Sequence, residues 1–138
     1  RLVVVGSGPE EAKLRRLAGP DVVFTGTQPA SELCDLYSGA QALLFPGEED
    51  FGITPLEAMA CGTAVIATKT GAIPEFAGDA ALLVNPGDRE ALREAVLTLL
   101  ASRNLREELA ARGAERATHY RWDRSAKLMT ELLAEAAR

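Results

Sequence analysis

The sequence predicts an α/β fold: a doubly wound parallel sheet covered by helices, followed by a helical C-terminus. Two observations predict it. Five short apolar runs recur along the chain, continuous rather than alternating, as strands buried on both faces read. Helical segments with three- and four-residue apolar spacing separate most of them, which calls for right-handed β-α-β crossovers.

Taken in order, "LVVVG" (2–6) reads as the first strand. "PEEAKLRRLAG" follows, with Leu14 and Leu17 three apart and Pro9 suited to a first helical position. "VVFTG" (22–26) is the second strand, and "PASELCDLYSG" places Leu33, Leu36 and Tyr37 on one helical stripe. "ALLFP" (42–46) is the third strand. The short helical "TPLEAMACG" opens on a capping-box pattern, with Thr54 at the N-cap, Pro55 at the first position and Glu57 at the third. "AVIAT" (64–68) is the fourth strand. The link from Thr68 to Ala81 holds Gly71, Pro74 and Gly78 and leaves room for at most a turn of helix. "ALLVNP" (81–86) closes the strand series. "DREALREAVLTLLAS" then puts Leu92, Val96 and Leu99 on one stripe with Asp88 as its cap. "NLREELAARGAERATHY", capped by Asn104, and "WDRSAKLMTELLAEAAR" are helical to the end.

With 138 residues the chain suits one domain over 1–138 that can bury a real core. Its net charge is −5 and its pI about 4.9, with no basic stripe, which argues against nucleic acid as a partner. No apolar run approaches the roughly 18 residues of a transmembrane helix. Because Arg1 is followed at once by a strand, the natural chain is expected to begin earlier. Cys34 and Cys61 lack CxxC spacing and read as small buried apolar groups in a reducing compartment. His119 has no Cys or Asp partner nearby in sequence and reads as a surface side chain.

Ligands of open parallel sheets sit at the carboxyl ends of the strands, so the loops at that edge carry the functional candidates. In "VVVGSGPEE", Gly6 and Gly8 match the start of a dinucleotide loop, but Glu11 stands at the third glycine position. The next strand also ends in glycine rather than an acid, which argues against a dehydrogenase. Gly8 still lets backbone approach a ligand. The run Glu48-Glu49-Asp50 has three readings: a solvated acidic loop, oxygen ligands for a hard cation, or acceptors for sugar hydroxyls. Phe51 beside it suggests a partly apolar wall, and Phe51-Gly52-Ile53 feeds a helix N-terminus that favours an anion. Acid on one side and an anion hole on the other suit a nucleotide sugar. Glu57 keeps two readings, a capping residue and a ligand.

These residues carry a resemblance. "EDFGITPLE" (49–57) resembles the Glu-x₇-Glu signature of retaining glycosyltransferases of family 4, which have the GT-B fold. Glu49, Phe51, Gly52 and Glu57 match it, and "AMACGTAVIA" follows with Ala64 where the family has proline. "VVVGSGP", "VVFTGTQPASELCDLYSGA", "GAIPEFAGDAALLVNPGD" and a late "RW" match as well, so the resemblance covers nearly the whole chain. It implies the Rossmann-like, donor-binding C-terminal half of such an enzyme. Glu49 would touch donor-sugar hydroxyls near the reacting carbon, as the catalytic group. Glu57 would hold the nucleotide ribose. Backbone at Phe51, Gly52, Ile53 and Thr54 would run along the sugar-diphosphate, Gly8 would line its phosphate side, and Gly26 and Thr27 would border the base. No metal or other cofactor is implied, because positive side chains stabilise the leaving diphosphate.

Three departures qualify the match. Asp50 replaces the glycine after the first glutamate, a variant that resembles bacterial GDP-mannose enzymes. Gly71-Ala72 replaces a Gly-Gly pair. The family's diphosphate-binding Arg and Lys, its first strand and its acceptor-binding N-terminal domain belong upstream of this chain. The resemblance therefore implies an incomplete half, inactive alone, with exposed sheet edges through which a homo-oligomer could form. The whole enzyme would transfer a hexose from GDP-mannose, or else a UDP- or ADP-sugar, to a glycan or lipid acceptor. It would work in the cytoplasm or at the inner membrane face. The alternatives are a non-catalytic nucleotide-sugar-binding module and a sugar-nucleotide epimerase of the same fold.

Overall fold

A computed structural model describes residues 1–138. Residues 1–36 and 37–138 form two compact units.

In the first unit, β1 (Leu2–Val5) and β2 (Val22–Gly26) run parallel, with Leu2 opposite Val22, Val3 opposite Val23 and Val4 opposite Phe24. The register shifts after Val4, so Val5 meets Gly26, and the Gly6 N–H donates to the Gly26 carbonyl at 2.8 Å. The crossover is α1 (Glu11–Leu17). It starts later than Pro9, because the Glu11 N–H closes a turn onto the Gly8 carbonyl at 3.1 Å and Glu10 takes the N-cap. The Arg15 guanidinium lies 4.6 Å from the centre of the Phe24 ring, a cation–π contact between helix and strand. Burial on both faces, expected for "LVVVG", fails for β1: Leu2, Val3 and Val5 are exposed, and nothing in residues 1–36 is fully buried. A four-residue strand with one partner and a seven-residue helix offer too little apolar surface to close a core.

The second unit holds a three-stranded parallel sheet in the order β3 (Leu43–Phe45), β4 (Val65–Thr68), β5 (Ala81–Val84). The five strands thus form two parallel sheets, and β3 is an edge strand paired on one side only. The central β4 is wholly buried, which explains its unbroken apolar run. Alternate residues face opposite ways. Val65 and Ala67 join a cluster with Met59, Ile73 and Phe76, whereas Ala64 and Ile66 meet Leu99 and Leu109. The first cluster is supplied by α3 (Ile53–Ala60) and α4 (Ile73–Ala77); α5 (Arg89–Ala101) and α6 (Arg103–Ala117) supply Leu99 and Leu109 to the second. Helices on both faces make this unit doubly wound. The helix α2 (Ala30–Gly39) precedes β3 and ends in the second unit.

At α5 and α6, capping follows side-chain chemistry with one shift. Asp88 caps α5 as expected, its Oδ1 accepting from the Ala91 N–H at 2.9 Å. Ser102, not Asn104, caps α6, its Oγ accepting from the Leu105 N–H at 3.2 Å. Gly113 sits where α6 crosses α3, and a Cβ there would come 3.0 Å from Met59 Cγ. The final α7 (Trp122–Ala136) leaves Trp122, Leu128, Met129, Leu132 and Leu133 exposed. No helix is long and apolar enough to cross a membrane.

Candidate functional site

The acidic loop after β3 is held by its own backbone and by the loop after β4. The Ala72 N–H donates to the Asp50 carbonyl at 2.8 Å, and the buried Thr68 hydroxyl donates to the Gly47 carbonyl. Gly71 is the point of closest approach. Its φ is +51°, and a Cβ there would lie 2.2 Å from the carbonyl oxygens of both Glu49 and Asp50. Only glycine fits. Ala72, by contrast, sits at φ −84°, ψ −3°, where any residue is at ease. Replacing a second glycine by Ala72 therefore removes no backbone freedom that the loop uses.

Glu48, Glu49, Asp50, Thr70 and Gly71 line a cavity of about 320 Å³. All three carboxylates are exposed, and the Asp50 N–H donates to Glu49 Oε1 at 3.1 Å, which turns the Glu49 side chain back onto its loop. The three do not converge as a set of metal ligands. Between Tyr37 and Gly78 the sequence has one basic residue, Lys69, at the carboxyl end of β4. The start of α3 adds positive potential from its backbone.

That backbone is the start of α3. Gly52 is the N-cap in left-handed geometry, φ +88° and ψ +57°, and a Cβ on it would meet Ile73 Cγ1 at 2.9 Å. The first helical hydrogen bond runs from the Leu56 N–H to the Gly52 carbonyl at 3.4 Å, so the amides of Ile53 and Thr54 have no helical acceptor. Ile53 is half exposed, and Phe51 leans on Phe76 with ring centres 6.1 Å apart.

The expected capping box does not form. Because Gly52 turns the chain, Thr54 is already inside the first turn, Pro55 follows where no N–H is needed, and no side chain caps the helix. Glu57 lies beyond the first turn and cannot reach back to Thr54 as a capping box requires. Its partner is Tyr37 at the end of α2: the phenol donates to Glu57 Oε2 at 3.5 Å. Burial raises the Tyr37 pKa above its ordinary 10.0, and the Glu57 charge and hydrogen bond raise it further. Tyr37 had read from sequence only as part of an apolar stripe; its hydroxyl at the helix end was the available signal.

The remaining candidates lie in the first unit. Gly8 follows β1, and Gly26 and Thr27 stand at the end of β2, with Ser7 Oγ and Thr27 Oγ1 3.4 Å apart. Within the second unit the structure brings Glu49 to the cavity and Phe51, Gly52, Ile53 and Thr54 to the α3 start. Glu57 does not line that cavity and faces Tyr37 instead.

Residues 1–102 match the family described as glycosyl transferases group 1. The chain belongs to this family. Over 140 aligned positions this group 1 glycosyltransferase chain is 33% identical to the GDP-mannose-dependent alpha-(1-6)-phosphatidylinositol dimannoside mannosyltransferase of Mycobacterium tuberculosis, across 99% of this chain and 36% of that protein. A sucrose-phosphate synthase from Thermosynechococcus elongatus superposes with a TM-score of 0.87 at 33% identity, across 99% of this chain and 39% of the synthase. The C-terminal domain of LpcC, a group 1 family protein from Francisella tularensis, superposes with a TM-score of 0.72 at 30% identity, across 85% of this chain and 67% of that domain. The fold is that of the C-terminal domain of a GT-B glycosyltransferase, as the motifs implied. The chain spans little more than a third of the first two relatives.

Proposed function

We propose that this glycosyltransferase domain binds the nucleotide-sugar donor of a retaining family 4 hexosyltransferase, with GDP-mannose the favoured donor. One observation carries the reading. The Glu49 carboxylate borders a cavity at the carboxyl edge of the sheet, three residues before a left-handed Gly52 that opens the first-turn amides of α3. Hydroxyl acceptors and free N–H donors, side by side, are what a sugar joined to a diphosphate requires. Glu49 then accepts from donor-sugar hydroxyls beside the reacting carbon and acts as the catalytic group. The Ile53 and Thr54 amides follow the diphosphate, with Phe51 and Gly52 shaping that wall. Glu57 accepts from the ribose hydroxyls. The family resemblance alone assigns Gly8 to the phosphate side and Gly26 and Thr27 to the base.

GDP-mannose is favoured because Asp50 gives the Glu-Asp-Phe-Gly form and because the mycobacterial relative is named for that donor. The reading needs no metal: diphosphate charge meets helix N–H groups here and cationic side chains elsewhere in the enzyme. Exposed Leu2, Val3 and Val5 and the open edge of β3 fit a domain completed by further chain, which would also hold the glycan or lipid acceptor. By itself the domain is then inactive. The same edges could pair two copies. Such an enzyme would work in the cytoplasm, free or at the inner membrane face. Titrating the intact protein with GDP-mannose, UDP-glucose, UDP-N-acetylglucosamine and ADP-glucose tests this. One of them should bind, GDP-mannose tightest; binding of none overturns the reading.

A further inference from the structure

We propose that Tyr37 is a positioning residue for the donor: its phenol holds the Glu57 carboxylate in the rotamer that receives the ribose of a nucleoside diphosphate. The inference rests on Glu57 being the ribose ligand.

Three features of the structure carry it. First, the contact is directional. A protonated phenol can donate to a carboxylate, and the Tyr37 hydroxyl stands 3.5 Å from Oε2, leaving Oε1 for a ligand. Second, the donor is fixed by rigid parts. The Tyr37 carbonyl accepts from the buried Thr63 hydroxyl at 2.7 Å, which ties the end of α2 to the segment joining α3 and β4. Its ring packs on the cluster that contains Ala58 and Met59, the residues following Glu57 on α3. Third, Glu57 is exposed, takes no part in a capping box and has no ion-pair partner. An exposed glutamate would otherwise sample several rotamers, and ordering it on binding costs affinity. The Tyr37 hydrogen bond orders it beforehand. At neutral pH the phenol is protonated, and so a donor.

The test measures Kd of the intact protein for GDP and 2′-deoxy-GDP, or UDP and 2′-deoxy-UDP if uridine binds tighter. Wild type should prefer the ribonucleotide. Tyr37→Phe keeps the ring packing and should weaken the ribonucleotide about 3- to 10-fold and the deoxynucleotide, which keeps only its 3′-hydroxyl, by clearly less. The preference for ribose then shrinks, and the KM for donor rises more than kcat falls. In a Glu57→Gln background, adding Tyr37→Phe should have a much smaller effect. A ribose preference unaltered by Tyr37→Phe overturns the inference and leaves the Glu57 assignment standing. A ribose preference unaltered by Glu57→Gln overturns that assignment, and the inference with it.

Discussion

Gly71 packs its α-carbon against the carbonyl oxygens of Glu49 and Asp50, so closely that a methyl group there would stand 2.2 Å from both. The acidic loop and the loop after β4 are therefore one object, joined again by the Ala72 N–H on Asp50. The position of Glu49 is set by a residue more than twenty places away in sequence.

Gly71→Ala should disrupt that object. The left-handed φ alone costs about 1–2 kcal/mol, and the backbone oxygens it meets cannot swing aside as a side chain can. The expected result is a loss of at least about 2 kcal/mol by denaturant unfolding, with weaker nucleotide-sugar binding in the protein that remains folded. Ala72→Gly should restore nothing, since Ala72 is unstrained, and should lower stability by about 0.5–1 kcal/mol through chain entropy.

Arg116 should prove a structural support of the same region. From α6 its Nε donates to the Phe76 carbonyl at 2.6 Å and its Nη2 to the Glu75 carbonyl at 3.0 Å, covering the C-terminal end of α4. Arg116→Ala is expected to cost about 1–3 kcal/mol in unfolding free energy. Arg116→Lys should recover less than half, because a point charge cannot span two carbonyls as a planar fork does.

Alkaline pH should reveal the environment of Tyr37. Its folded-state pKa is raised above 10.0 by burial and then by Glu57. The protonated phenol is thus favoured by folding. The associated stability is present in full below pH 10.0 and is lost as pH rises through the folded-state value. Denaturant unfolding at pH 9 and pH 11 should show wild type losing stability relative to Tyr37→Phe across about that interval. A difference between the two proteins that stays constant with pH contradicts the account.

Much of the fold was legible because burial and sequence pattern agreed. "AVIAT" is an unbroken apolar run since β4 is covered on both faces, and Asp88 precedes α5 with the cap geometry its side chain favours. The failures have local causes. Thr54-Pro55-Leu56-Glu57 carries every residue of a capping box, yet Gly52 adopts a left-handed turn that starts the helix sooner. Asn104 lost the α6 cap to Ser102, which stands at the end of α5 and ends one helix while starting the next. "LVVVG" reads like "AVIAT" but lies exposed, because apolar pattern records what a strand could bury rather than what surrounds it. Of the site, Glu49 and the α3 start were visible in the Glu-x₇-Glu spacing. The Tyr37 contact was not, since it joins residues twenty apart through the fold.

The central claim is that Glu49 serves the donor sugar and Glu57 the nucleotide. The direct measurement is calorimetric titration of the intact protein with its tightest-binding nucleotide sugar and with the parent nucleoside diphosphate, for wild type, Glu49→Gln and Glu57→Gln. Glu49→Gln should weaken the nucleotide sugar by about 10-fold or more and leave the diphosphate nearly untouched, whereas Glu57→Gln should weaken both by a similar factor. A Glu49→Gln protein that binds the nucleotide sugar as tightly as wild type, or a Glu57→Gln protein that keeps its full affinity for the diphosphate, would contradict it.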